Sequence, residues 1–312
     1  MSAQIGRHLA AIVVPFKDTL DIDEPAFRKH CRDMLAIAGI DGIVVNANAS
    51  EVDTMDHPER VRLVELAAEE AHAAGKIVVS GVTPQPGSYK VAATMAKDAE
   101  KAGADALLLL GPAVFGRGVE LVPEVAEQYT RAVANAVSLP IIYFVAGALS
   151  GINYTPDVVR RICSVDQVVA IKDTMWSPQG FDVNLRLLRD MKRGTKHFSG
   201  NDNCFFYNFV AGADGTLLVL HCVMGKEIVA MYDHAAANNV AEARRINEIY
   251  EPLVALLFAR PMLKMPTRIK HVLQVRGQLE HTFTRAPVPP LTPAEADAIT
   301  KEVRKIDLRN EI

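Results

Sequence analysis

Residues 168–173 read Val-Val-Ala-Ile-Lys-Asp (VVAIKD), an apolar run that ends directly in a lysine and an aspartate. A run this short, β-branched and apolar at successive positions fits a parallel strand covered by helices on both faces. The same pattern recurs on either side. AAIVVP (10–15), GIVVN (42–46), KIVVSGV (76–82), DALLLLGP (105–112) and PIIYFV (140–145) precede it. KHFSGN (196–201) and GTLLVL (215–220) follow it. Longer amphipathic patterns separate the runs, for instance from Pro25 to Ala38 and from His57 onward. Asp56 and Glu59 form a capping box with Pro58 in the first turn, and Thr155-Pro156 and Thr292-Pro293 with Glu295 repeat the signal. Gly39, Gly75, Gly103 and Gly212 stand where helices must stop.

Eight strand–helix units over residues 9–237 predict an α/β fold, a (β/α)8 TIM barrel. A doubly wound open sheet is the alternative, but no GxGxxG follows the first run. The domain organisation expected is a catalytic barrel over residues 1–237 and a C-terminal extension over 238–312. Three helical patterns, Val240–Phe258, Met262–Gln278 and Pro293–Asp307, make up that extension and pack on the barrel. Such barrels often self-associate, so a homo-oligomer, dimer or tetramer, is expected.

A chain of 312 residues that is 49% hydrophobic can bury a large core, and a net charge of −3 gives no reason to expect nucleic acid or a membrane as partner. The N-terminal apolar run is too short for a signal peptide, and no stretch reaches membrane-spanning length. Cys31, Cys163, Cys204 and Cys222 lack CxxC spacing and read as reduced thiols of a cytoplasmic protein. Cys222 follows His221, but adjacent strand residues point apart and no second histidine cluster lies near. No metal site is expected.

Barrel chemistry collects at the carboxyl ends of strands. Alternation along VVAIKD puts Val168, Ala170 and Lys172 on one face, aiming Lys172 into the barrel. Apolar walls strip an ammonium of hydration, lower its pKa and expose an amine able to form a Schiff base with a ketone. The competing structural role is an ion pair with Asp173, or a side chain reaching out to the barrel mouth. Tyr143, in the preceding strand, offers a phenol that can shuttle protons, or else a core aromatic with a tied hydroxyl. The turn NANASE (46–51) offers backbone N–H groups, Asn48 and Ser50 to a carboxylate, or else caps the next helix. Glu51 reads as a brace for that loop. Asn201, Asp202, His221, Trp176 and Arg117 are the polar residues expected near the mouth, and Leu218 the apolar lining from the last strand.

These residues resemble the dihydrodipicolinate synthase/N-acetylneuraminate lyase family of class I aldolases, along nearly the whole chain. Tyr143-Phe144-Val145 followed by Ile171-Lys172-Asp173 is similar to its Y-N-V and G-I-K-E/D pair. FSGND (198–202) is similar to S-G-D-D, and ASEVDTMDHPER (49–60) to G-E-x-x-x-L-S/T-x-E-E-R/H. The resemblance implies that Lys172 forms an imine with pyruvate or another 2-oxo acid and that Tyr143 moves protons. It further implies that the turn Ala47, Asn48, Ala49, Ser50 and Glu51 holds the carboxylate, and that no separate cofactor is needed.

The chain also departs from that pattern. Asn48 and Ala49 replace twin threonines, and T-P-Y-Y reads Gly111-Pro112-Ala113-Val114. No arginine falls in VAGALSG (145–151), where a second substrate's carboxylate would be gripped. The synthase reaction proper is therefore disfavoured. ANASE resembles members that cleave or dehydrate 2-keto-3-deoxy sugar acids. Aldol cleavage and dehydration both stay open at this point, as does a non-catalytic barrel that binds a keto acid.

Overall fold

All eight apolar runs are parallel strands. They are β1 (His8–Ala11), β2 (Gly42–Val45), β3 (Ile77–Val82), β4 (Ala106–Leu110), β5 (Ile141–Val145), β6 (Val168–Asp173), β7 (Lys196–Ser199) and β8 (Gly215–Leu218). They pair in sequence order and close through β1 and β8. The computed structural model describes residues 5–83 and 88–310. Around the barrel run α1 (Glu24–Leu35), α2 (His57–Ala73), α3 (Tyr89–Lys101), α4 (Glu124–Ala134) and the single turn α5 (Gly147–Ser150). The ring continues with α6 (Pro156–Cys163), α7 (Pro178–Met191), α8 (Phe205–Ala211) and α9 (His221–Ala236). Almost every strand residue is buried, as a sheet packed on both faces requires.

The capping signals act as read. Asp56 accepts from the Glu59 amide at 2.9 Å while the Glu59 carboxylate accepts from the Asp56 amide at 3.1 Å, satisfying two amides at the start of α2. Gly39, Gly75, Gly103 and Gly212 all have positive φ. Two strand details differ from simple alternation. β1 starts two residues earlier than AAIVVP suggests, because Asp41 holds the His8 amide at 3.0 Å and sets His8 in the ladder. Between β5 and β6 the register shifts at Ile141/Ile142, so Val168 pairs with Ile141 and Ala170 with Ile142. The shift skips Val169, so only Ala170 and Lys172 share a face.

The three C-terminal patterns form α10 (Val240–Leu257), α11 (Met265–Val275) and α12 (Pro293–Asn310), with a short 3-10 turn at Met262–Lys264 ahead of α11. Pro266 fits this late start, since proline is best accommodated in a helix's first turn. α10 packs on α9 and α12, and α11 on α12. The extension reaches the barrel mouth through the ion pair of Lys270 with Glu51 at 2.5 Å, where neither side chain is exposed. Among the described residues no helix is long and apolar enough to cross a membrane.

Candidate active site

At the carboxyl ends of the strands lies a cavity of about 370 Å³. Its polar floor is made by Ala47, Asn48 and Ala49 after β2, Lys172 and Thr174 at the end of β6, and Asp202 after β7. Gly200 lies beneath the lysine. A Cβ at position 200 would sit 2.8 Å from Lys172 Cε and 2.4 Å from Thr174 Oγ1, so only glycine lets the lysine stem lie here.

Lys172 is 7% exposed, and its Nζ stands 4.1 Å from the centre of the Phe144 ring. Burial pulls its pKa from 10.5 down to about 8, against the opposing pull of the Asp202 carboxylate. At pH 7 that leaves roughly a tenth of the amine unprotonated, against roughly 0.03% for an ordinary lysine. Asp173, the partner weighed for a structural ion pair, is engaged elsewhere. It accepts from Asn184 Nδ2 at 2.8 Å, contacts His197 Nε2 at 2.9 Å and accepts from the Met175 amide at 3.1 Å. Asp202 is the carboxylate facing the lysine. Burial raises its pKa to about 6, partly offset by Lys172, and its Oδ1 accepts from the Leu220 amide at 3.0 Å.

The turn after β2 is held rigidly. Asn46 and Glu51, at its two ends, both have positive φ, an uncommon conformation for non-glycine residues that here re-aims the chain at the mouth. Ser50 Oγ donates to the Ile12 carbonyl at 3.0 Å, and the Ser50 amide to Ala47 O at 2.9 Å. Asn48 and Ala49 open the 3-10 turn, so their amides have no acceptor within it, and both residues line the cavity. Glu51 Oε1 takes Lys270 and its Oε2 accepts from the Arg285 amide at 3.2 Å. The expected brace is present, and its other half comes from the extension.

Of the residues singled out from sequence, the cavity gathers Ala47, Asn48, Ala49, Glu51, Lys172, Asp202 and Trp176. Six others lie off its lining. Phe144, not Tyr143, is in register with Lys172, while Tyr143 pairs with Ile171 on the opposite face of β5. The Tyr143 phenol is fully buried beside the Tyr154 hydroxyl and Gly111, and burial holds its pKa well above the ordinary value. Leu218 likewise faces outward on β8, and the next residue, Val219, takes the lining position. Ser50 is turned to backbone, and Asn201 Oδ1 accepts from the Trp176 amide at 2.8 Å, shaping that loop from behind. His221 opens α9 and turns into a buried network with Thr216 Oγ1 at 2.8 Å, itself 3.0 Å from His8 Nδ1. Burial lowers the His221 pKa to about 3. Arg117 is exposed on the β4 loop and does not reach the cavity. Among the described residues no group of three or more His, Cys, Asp or Glu side chains is placed to hold a metal.

Sequence reasoning missed the outer wall. Phe258, Met262, Leu263, Met265 and Pro266, with Pro287 and Val288, come from the extension and close over the mouth. The signal was there in ARPMLKMP (259–266), an apolar cluster held between two prolines.

The sequence model of the "Dihydrodipicolinate synthetase family" matches residues 4–306. A 4-hydroxy-tetrahydrodipicolinate synthase of Heliobacterium modesticaldum is 30% identical over 277 residues, covering 88% of this chain and 87% of that protein. The corresponding protein of Syntrophus aciditrophicus is 27% identical, covering 96% and 98%. Among solved structures, YagE from Escherichia coli K12, in complex with pyruvate, superposes with a TM-score of 0.87 at 18% identity, covering 98% of this chain and 100% of that one. A dihydrodipicolinate synthase of Thermotoga maritima gives 0.86 at 23%, covering 98% and 100%. Matched along nearly its whole length, this chain belongs to the dihydrodipicolinate synthetase family, lyases of the class I aldolase type.

Proposed function

We propose that the protein is a Schiff-base aldolase that makes or breaks the bond between C3 of pyruvate and the carbonyl carbon of an aldehyde. The observation that carries this reading is Lys172, a buried amine at the end of β6 with a pKa near 8 in a cavity at the carboxyl ends of the strands. The unprotonated amine attacks the C2 ketone of a 2-oxo acid, water leaves and an iminium forms. The substrate carboxylate then lies at the Asn48–Ala49 amides. For cleavage, the C4 hydroxyl gives its proton to a base, the C3–C4 bond breaks, and its electron pair flows into the iminium to form an enamine. The aldehyde departs, C3 takes a proton, and water releases pyruvate from Lys172.

Asp202 suits the base. It lines the same cavity, and a pKa near 6 places it within reach of both protonation states near neutrality. This replaces the expectation that Tyr143 moves the proton. Dehydration of a 3-deoxy-2-oxo acid is the second reading, favoured by the same iminium, which acidifies C3. Condensation of the kind named for the curated relatives is a weaker fit, because Lys172 is the only cation on the cavity lining among the described residues. Self-association is supported by Val114, Leu121 and Val122, three exposed apolar side chains on the β4 loop, and sedimentation of the purified chain tests it.

The test of the reaction class is product analysis with 4-hydroxy-2-oxo acids. Pyruvate release, followed by coupled reduction with lactate dehydrogenase and lost in Lys172→Ala, supports cleavage. A dehydrated 2-oxo acid with no pyruvate assigns the dehydratase reading instead, and turnover by Lys172→Ala removes both.

A further inference from the structure

We infer that the substrate portion beyond C4 is apolar, an aryl or branched alkyl group on a 4-hydroxy-2-oxo acid, and that the C-terminal extension selects it. This rests on the reading of Lys172 as the imine-forming residue. A cavity of about 370 Å³ falls in the range that holds drug-sized ligands, far beyond what pyruvate fills. Its floor is polar. Its outer wall is Phe258, Met262, Leu263, Met265, Pro287 and Val288, all from the extension.

That wall is built rather than loosely draped. α11 holds both segments that form it. Arg268, 2% exposed, donates from Nη1 to the carbonyls of Leu257 at 3.3 Å, Ala259 at 2.5 Å and Pro261 at 3.4 Å, which fixes the strap carrying Phe258. Thr267 Oγ1 donates to the Pro289 carbonyl at 3.1 Å and Lys270 Nζ to the Phe283 carbonyl at 2.8 Å, which fixes the strap carrying Pro287 and Val288. Lys270 also holds Glu51, so the same helix sets the distance between the wall and the carboxylate-binding turn.

Charge decides what the wall accepts. Among the described residues Lys172 is the only cation on the lining, while Glu51, Asp53 and Asp202 are acidic. A second substrate carboxylate would lose hydration beside Asp53 and Asp202 with no cation to receive it. A polyol tail would press hydroxyls against Phe258, Met262 and Val288, whose side chains offer no hydrogen-bond partner in exchange for the water lost. An aryl or branched alkyl tail fills the wall and leaves the C4 hydroxyl near the Asp202 side of the floor.

The test uses the full chain with two 4-hydroxy-2-oxo acids, one with a phenyl group on C4 and one with a carboxyl group there. Pyruvate release is followed under kcat/KM conditions, alongside borohydride trapping of pyruvate on Lys172. Expected is a kcat/KM at least about tenfold higher for the phenyl substrate. Leu263→Arg, a change at a half-exposed rim position that the fold tolerates, narrows or inverts that ratio. With pyruvate trapped on Lys172, equal or better cleavage of the carboxyl substrate overturns the inference. So does cleavage of neither substrate, or an unchanged ratio in Leu263→Arg. Absence of any adduct with pyruvate overturns the lysine reading, and this inference with it.

Discussion

Replacing Lys172 with methionine should make the protein more stable at neutral pH while abolishing its chemistry. Burial lowers the lysine pKa from 10.5 to about 8, so the folded state holds the protonated amine at a disadvantage. At about 1.4 kcal/mol per pH unit, that disadvantage is on the order of 3 kcal/mol. Below pH 8 both folded and unfolded chains carry the proton, and the whole penalty is present. Between pH 8 and 10.5 the unfolded chain binds the extra proton, so native stability climbs with pH; above 10.5 the penalty is gone. Methionine keeps most of the side-chain volume against Phe144 and Gly200 and carries no charge. Lys172→Met should therefore raise the thermal midpoint at pH 7 by roughly 5 °C. The gain should shrink steadily as the pH is raised from 8 to 10.5. Scanning calorimetry of both proteins across that range measures it. A destabilised variant, or a gain that does not change with pH, refutes a desolvated lysine at this position.

Asp202→Asn removes the charge that favours protonated Lys172, so the acid limb of imine trapping should move down by about one pH unit. Trapping at pH 7 then quickens while cleavage slows by roughly 10²–10⁴-fold for want of a base; a limb that moves up contradicts the pairing. Tyr143→Phe should leave pyruvate trapping within about twofold of wild type, rather than the 10²–10⁴-fold loss of a general acid–base group, and rapid-quench trapping decides. Glu51→Gln strands Lys270 as a buried charge and should cost about 3–5 kcal/mol by denaturant unfolding. Glu51→Leu with Lys270→Met should recover much of that, and no recovery would mean the pair does more than offset its own burial.

The barrel was legible because its strands are buried on both faces and so read as continuous apolar runs, with caps and glycine stops between them. Lys172 was legible for the same reason, since a charge at the end of such a run stands out. What the sequence hid lies in register and in distance along the chain. The shift at Ile141/Ile142 and the parity of β5 put Phe144 at the lysine and turn Tyr143 away, and a one-residue difference in parity reverses a side chain's face. Leu218 and Val219 exchanged roles by the same margin. His221 was read as a strand-end residue, but it is the first residue of α9, and its ring folds back onto Thr216. The outer wall comes from residues beyond 257, which no local pattern links to a strand end. The buried pair of Glu51 with Lys270, separated by 219 positions, and the Arg285 amide on the same carboxylate tie them to the site.

Imine formation at Lys172 is tested most directly by adding borohydride to the protein with pyruvate and locating the reduced adduct by peptide mass spectrometry. A reduced pyruvyl group on the peptide containing Lys172, absent from Lys172→Met, is the expected result. No adduct with pyruvate or with larger 2-oxo acids, or an adduct confined to another lysine such as Lys270, would contradict it.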